Sequence, residues 1–219
     1  LTDMVTDSRL DEEDFSMERG VILDELAMGE DSPTDTVHDT FQLAVHGDRP
    51  IGRPVGGTPQ AIREVERADV WEHYQAHYGP SSLIVAAAGN VDHESVCERV
   101  QAALEGSPWD AGSAASPRPR RSTTVTPIAD HDKDITRRRD VTQAHVIIGC
   151  EGLSATDPAG PTMSVLLSVL GGSMSSRLFQ EVREKRGLAY TTYAFDVAYS
   201  DTGTFGMYAG CSPDKVGEV

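Results

Sequence analysis

The 219-residue sequence has only three cysteines, Cys97, Cys150 and Cys211, far apart and with no C-x-x-C spacing. That excludes a disulfide framework and a thiolate zinc knuckle, and it points to a reducing compartment. Aromatic residues are also scarce, at 6%, and hydrophobic residues reach 38% against a charged fraction of 25%. The chain is therefore globular rather than disordered, but without promise of a large dry core. No window approaches the roughly 18 consecutive apolar residues that a membrane helix needs. The longest apolar run, Leu83 to Ala88, reads as a buried strand. Cations are the third shortage: 19 Lys and Arg face 35 Asp and Glu, a formal net charge of −16. A phosphate backbone would be repelled, so nucleic acid is excluded as a partner. The length fits one or two domains. An initiator Met is missing too, and the final Ser212-Pro213-Asp214 has the form of a helix start that gains only one turn. The expectation is an internal segment of a longer chain.

What is present alternates helix with strand. Residues 11–30 are acidic at their start and carry Val21, Ile22 and Leu26 at helical spacing. A second helix is predicted over 35–45, then a Gly- and Pro-rich turn region over 47–59, and a helix over 60–78 broken near Ala68. A strand over 82–89 precedes a helix over 92–104 with Val96, Val100 and Leu104 on one face. Residues 106–121, with three prolines among Gly, Ser, Ala and Arg, form a linker between predicted domains 1–105 and 122–219. Beyond it come a strand over 134–149, helices over 161–170 and 175–186, and strands over 190–199 and 204–210. The fold class is α+β, with largely antiparallel sheets flanked by helices. Ala87-Ala88-Gly89 before Asp92 is echoed by Tyr208-Ala209-Gly210 before Asp214, as in two pseudo-repeated domains.

Several constellations carry chemistry. Glu18 and Glu25, seven residues apart, share a helix face with Val21 and Ile22 between them. A carboxylate in an apolar stripe needs a partner. Either a cation such as Arg19 pairs with it, or Glu25 ligates a metal with Glu18 as outer support. His73 and His77 stand at i, i+4, where two imidazoles can share a cation, but the glutamate of H-E-x-x-H is missing and structural histidines are the better reading. His38 and His46 are read as surface residues. Gly171 to Ser176 lacks the ending of a phosphate loop and reads as a flexible connection. Arg177, Arg183, Lys185 and Arg186 form a basic island in an acidic protein. They suit a helix C-terminus, or Arg183 forks onto a carbonyl or carboxylate beside the phenol of Tyr190.

Four segments together suggest a family. Glu18 to Leu26 followed by Val37-His38-Asp39 resembles the helix after the inverted zinc motif of the pitrilysin/insulinase metallopeptidases, above all the mitochondrial processing peptidase branch. Gly171-Gly172-Ser173-Met174-Ser175-Ser176-Arg177-Leu178-Phe179 through Arg183 to Tyr190 resembles the second-domain signature of that family. Gly52-Arg53-Pro54 and Ala88-Gly89-Asn90-Val91-Asp92 fall between them as further landmarks.

The resemblance implies a zinc metalloendopeptidase that encloses peptides or unfolded segments in a two-domain chamber. One zinc ion is held by two His of H-x-x-E-H and by a later Glu, which maps to Glu25, with Glu18 as the supporting acid. Arg183 and Tyr190 map to the pair that binds the substrate peptide, and Asp35 to an acid of the chamber; Phe179, one turn before Arg183, is placed to line the same surface as a further substrate contact. No His in the chain is followed three residues later by Glu and then His. The segment therefore supplies one ligand and no general base, and alone it is expected to bind zinc weakly and to cleave nothing. The resemblance further implies a peptide substrate, no membrane partner, pairing with a second copy or a second family subunit, and a bacterial cytoplasmic or mitochondrial matrix location. A non-catalytic scaffold homologue and an acidic peptide-binding module are the alternatives.

Overall fold

The computed structural model describes residues 1–109, 131 and 133–219. The chain divides into two compact units, Leu1–Asp24 with Thr58–Arg120, and Glu25–Gly57 with Arg121–Val219. The segment 25–57 thus groups with the later residues, although it precedes the predicted linker. Of that linker, 110–121 lies outside the described residues.

The first unit is helical. It holds α1 (Thr2–Thr6), the start of α2 (Glu12–Asp31), α4 (Pro59–Glu64), α5 (Arg67–His77) and α6 (His93–Glu105). The helix predicted over 60–78 is two helices. Thr58 caps α4 by accepting from the Ala61 amide at 3.1 Å, and a reciprocal Glu66/Asp69 capping box restarts the chain as α5. Side chains tie these pieces together through the backbone. Tyr74 donates to the Val5 carbonyl at 2.6 Å, Arg67 to those of Leu10 and Arg9, and Arg19 to that of Val65.

Residues 83–91 correct the sequence reading. The predicted strand over 82–89 is a short 3-10 turn, Pro80–Ser82, followed by residues 83–89 that join no ladder among the described residues. Ile84 is 91% exposed there. An apolar run encodes a preference for burial, but a strand exists only when another strand pairs with it. The repeat echo is accordingly realised as a strand only in its second copy.

The second unit is built on a three-stranded antiparallel sheet. Its strands are β1 (Ala144–Glu151), β2 (Ala189–Ala198) and β3 (Gly203–Cys211), in the order β1-β3-β2. Ala144 pairs with Cys211 and Glu151 with Thr204, while β2 and β3 form a hairpin closed by the Tyr199 amide on the Thr202 carbonyl at 2.8 Å. β1 is shorter than the predicted 134–149, because 133–143 does not pair. Ala189, Ala209 and Cys211 form the buried centre, with Ala144 and Val182 packed against them.

Two helices cover the sheet. On α3 (Pro33–His46), capped by Ser32, the stripe His38, Phe41, Gln42 and Val45 has the i, i+3, i+4, i+7 spacing of a packing face. Phe41 meets the Phe195 ring edge-on at 5.8 Å and sits on Gly149, where a Cβ would come within 2.6 Å of its ring. α7 (Gly160–Gly171) approaches β2 so closely that a Cβ on Gly171 would lie 2.1 Å from the Ala194 nitrogen. Only glycine fits there. No helix among the described residues is long and apolar enough to cross a membrane.

Candidate functional site

The helix predicted over 175–186 is reshaped where its chemistry lies. After a turn at 172–176, Phe179–Lys185 form a π-helix, whose i→i+5 bonding widens each turn. In an α-helix residue i+4 lies about 40° past residue i. With more than four residues per turn it comes almost directly above, so Arg183 is carried over Phe179. The helix ends at Gly187, whose φ of 60° is the left-handed cap that glycine adopts freely.

The chain then enters β2 through a second irregularity. Ala189 faces Cys211 and Thr191 faces Gly210, so Tyr190 is an extra residue bulged out of the ladder. Bulges re-aim side chains, and Tyr190 is 71% exposed. The Arg183 guanidinium carbon is 4.7 Å from the Phe179 ring centroid and 4.5 Å from that of Tyr190. Three of the predicted site residues are therefore joined in one cation–π group. The carboxylate nearest the guanidinium is Glu184, 3.7 Å from Nε, and among the described residues no hydrogen bond uses either Nη. Lys185 and Arg186 stand at the helix end, and Lys185 pairs with Glu181 at 2.5 Å, which draws the Glu181 carboxyl below the usual range.

Glu18 and Glu25 are both exposed on α2, which buries none of its residues. Neither carboxylate makes a hydrogen bond or ion pair among the described residues. The Arg19 partner is ruled out, since its guanidinium donates to the Val65 carbonyl and lies 4.8 Å over the Phe15 ring. Asp35 stands in the first turn of α3. His73 and His77 meet edge to face, with ring centroids 4.2 Å apart. No group of three or more His, Cys, Asp and Glu able to hold a metal occurs among the described residues. Glu25 is thus a single free carboxylate donor, and these residues alone do not complete a zinc site.

Two histidines read as surface residues are not. His46 is fully buried, and His38 is half-buried against the sheet. His38 Nε2 lies 2.9 Å from the Tyr193 hydroxyl, His145 Nδ1 lies 2.8 Å from that of Tyr208, and the two tyrosine rings stack at 4.7 Å. Burial lowers the pKa of His38 although Asp35 and Asp39 oppose it; burial and then Arg49 lower that of His46, and burial that of His145. Tyr193 is pushed up by burial and by Tyr208. The signal missed in the sequence is that His38 shares the i, i+3 stripe with Phe41. A cleft of about 920 Å³ between α3, residues 133–143 and β1 is lined by Phe41, Arg137 and Ile148 among others, and by none of the predicted site residues.

Residues 64–219 match the family profile described as "Peptidase M16 inactive domain". The chain is 48% identical over 218 residues to an uncharacterized zinc protease of Streptomyces coelicolor, covering 99% of this chain and 47% of that protein. It is 32% identical over 219 residues to one of Bacillus subtilis, covering 100% of this chain and 51% of that one. It spans about half the length of these relatives. A protease structure from Helicobacter pylori superposes with a TM-score of 0.81 at 21% identity, over 97% of this chain and 51% of that one. A structure titled as a peptidase M16 inactive domain from Pseudomonas fluorescens gives 0.74 at 17%, over 96% and 50%. At such identities the structures speak for the fold alone.

Proposed function

The chain belongs to the peptidase M16 family, and from that premise we propose that it is part of a zinc-dependent endopeptidase acting on peptides or unfolded segments. Support comes from the relatives named as zinc proteases and from the residues. The observation that carries the reading is the fork of Arg183, held over Phe179 and Tyr190 with both Nη nitrogens unspent. A guanidinium edge of this kind takes a peptide carbonyl or a carboxylate through two parallel hydrogen bonds. The Tyr190 hydroxyl adds a donor at the same place.

In the intact protein Glu25 is the carboxylate ligand and Glu18 its outer support. A bound zinc would supply a Lewis acid and an activated water, chemistry that this chain's residues do not provide. Their own part is to bind and orient the peptide, which lowers the barrier by converting a bimolecular encounter into an ordered one. The substrate is a peptide, and the acidic balance of the chain attracts basic segments. A scaffold homologue would need neither a free Glu25 nor an unspent Arg183.

The test is Glu25→Gln in the intact protein, with bound zinc measured by elemental analysis and cleavage followed on a fluorogenic peptide. Loss of stoichiometric zinc together with cleavage is expected. Retention of both would overturn the assignment.

A further inference from the structure

The C-terminal end of α3 meets the sheet through polar atoms. His46 and Thr204 are fully buried, and His46 Nδ1 and Nε2, Thr204 Oγ1, Gln42 Oε1 and Arg49 Nη1 are all shut off from the surface without a hydrogen bond among the described residues. These atoms gather in one place. Tyr193 and Tyr208 meet His38 on the α3 side of the sheet, and side chains an even number of residues apart along a strand share a face, so Tyr199 and Thr204 turn to that side as well. The Tyr199 ring stands edge-on 6.4 Å from that of His46, and its hydroxyl lies 3.5 Å from Gln42 Nε2, one turn earlier on α3. Glu151 is opposite Thr204 in the ladder, and the charges of Arg49, Glu151 and Asp201 all act on the His46 ring.

A buried polar atom left dry loses its full hydration, so atoms of this kind have a partner. Their chemistry selects it. The imidazole is neutral, since burial and then Arg49 lower its pKa, and it brings one donor and one acceptor. The Thr204 hydroxyl brings one of each, Gln42 Oε1 accepts and Arg49 Nη1 donates. An anion would satisfy the donors alone and would face Glu151 and Asp201. A cation would satisfy the acceptors alone and would face Arg49, and no group of three or more His, Cys, Asp and Glu able to hold a metal occurs among the described residues. Water donates and accepts alike. At roughly three hydrogen bonds for each buried molecule, about two waters match the set.

We propose that Gln42, His46, Arg49 and Thr204 form an internal water site, in which ordered water bridges the end of α3 to the start of β3.

The experiment uses the intact protein. A crystal structure that resolves ordered water should place it within about 2.7–3.2 Å of Thr204 Oγ1 and of a His46 ring nitrogen. An ion there, direct bonds among these side chains, or a dry site overturns the proposal. Thr204→Val keeps the shape and removes the hydroxyl, and its effect on the urea midpoint has opposite signs in the two cases. With water bound, the folding equilibrium constant should fall about fivefold; at a dry site, removing an unsatisfied hydroxyl would raise it. His46→Leu combined with Thr204→Val should cost less than the two single losses together, because both side chains act through shared water. A midpoint unchanged or raised in Thr204→Val, or full additivity in the double variant, overturns the bridge.

Discussion

His38 on α3 and Tyr193 on β2 share a hydrogen bond of 2.9 Å, and the same imidazole stacks 5.9 Å from the ring of Tyr208 on β3. One side chain thus fixes a helix to two strands of the sheet. The bond draws on a neutral imidazole, because burial holds the His38 pKa below its ordinary value against the pull of Asp35 and Asp39.

A pH dependence follows. His38, His46 and His145 all bind protons less readily when folded than when unfolded. Between the folded and unfolded values the unfolded chain takes up more protons, so stability is complete above about pH 6.5 and is lost as pH falls through the folded values. Asp39, raised chiefly by burial and then by Asp35, acts in the opposite sense and only in the carboxylate range. Urea midpoints should therefore decline from about pH 8 to pH 5, and His38→Gln should flatten part of that decline. A wild-type midpoint constant across this range would contradict the account.

The contact of Phe41 with Phe195 and Gly149 predicts the cost of removing it. Phe41 is 7% exposed, so Phe41→Ala opens a cavity between α3 and the sheet. A loss of about 3 kcal/mol is expected from urea unfolding, within the range for buried Phe to Ala. A change below about 1 kcal/mol would mean that α3 is not packed on the sheet through this residue.

Much of this was legible in the sequence, for identifiable reasons. The boundaries of α2, α3, α6 and α7 followed from caps, prolines and 3.6-residue spacing, which are local signals. The pairing of Arg183 with Tyr190 came from the resemblance of the segment 171–190 to a family signature, not from a local signal. The π-helix was not legible, since Leu178, Phe179 and Val182 satisfy an α-helical pattern equally well. Nor was the fate of residues 83–88, because a strand depends on a partner that the run itself does not name. The burial of His38 and His46 was not read either: His38 belongs to the α3 stripe that carries Phe41, and the surface reading did not place it there.

The closeness of α7 to β2 makes Gly171 sensitive to any side chain. In Gly171→Ala the new methyl would meet the Ala194 nitrogen at 2.1 Å, and backbone cannot yield as a flexible side chain does. Overpacking of this kind costs about 1–3 kcal/mol, in spite of alanine's better helix propensity. Gly160→Ala, at the start of the same helix with nothing within 4 Å, is the control and should be near neutral. Equal effects at the two positions would refute the close approach.

On the proposed function, Glu18 has a supporting role and Glu25 a ligand role. Both are exposed and unpaired on α2, so replacing either with Gln should leave the unfolding midpoint within about 0.5 kcal/mol of wild type. In the intact protein the two should then diverge. Glu25→Gln removes a ligand and with it stoichiometric zinc, whereas Glu18→Gln removes only outer-shell support and should weaken zinc affinity or activity by about 10- to 100-fold. The isolated 219-residue chain, in which the described residues assemble no group of three metal donors, should bind zinc weakly and cleave no peptide. Competition titration with a chelator on all four proteins gives the order: intact wild type tightest, Glu18→Gln next, and Glu25→Gln close to the isolated chain. Tight zinc binding by the Glu25→Gln protein would remove Glu25 from the ligand set, and equal affinities for the Glu18→Gln protein and wild type would remove Glu18 from its support.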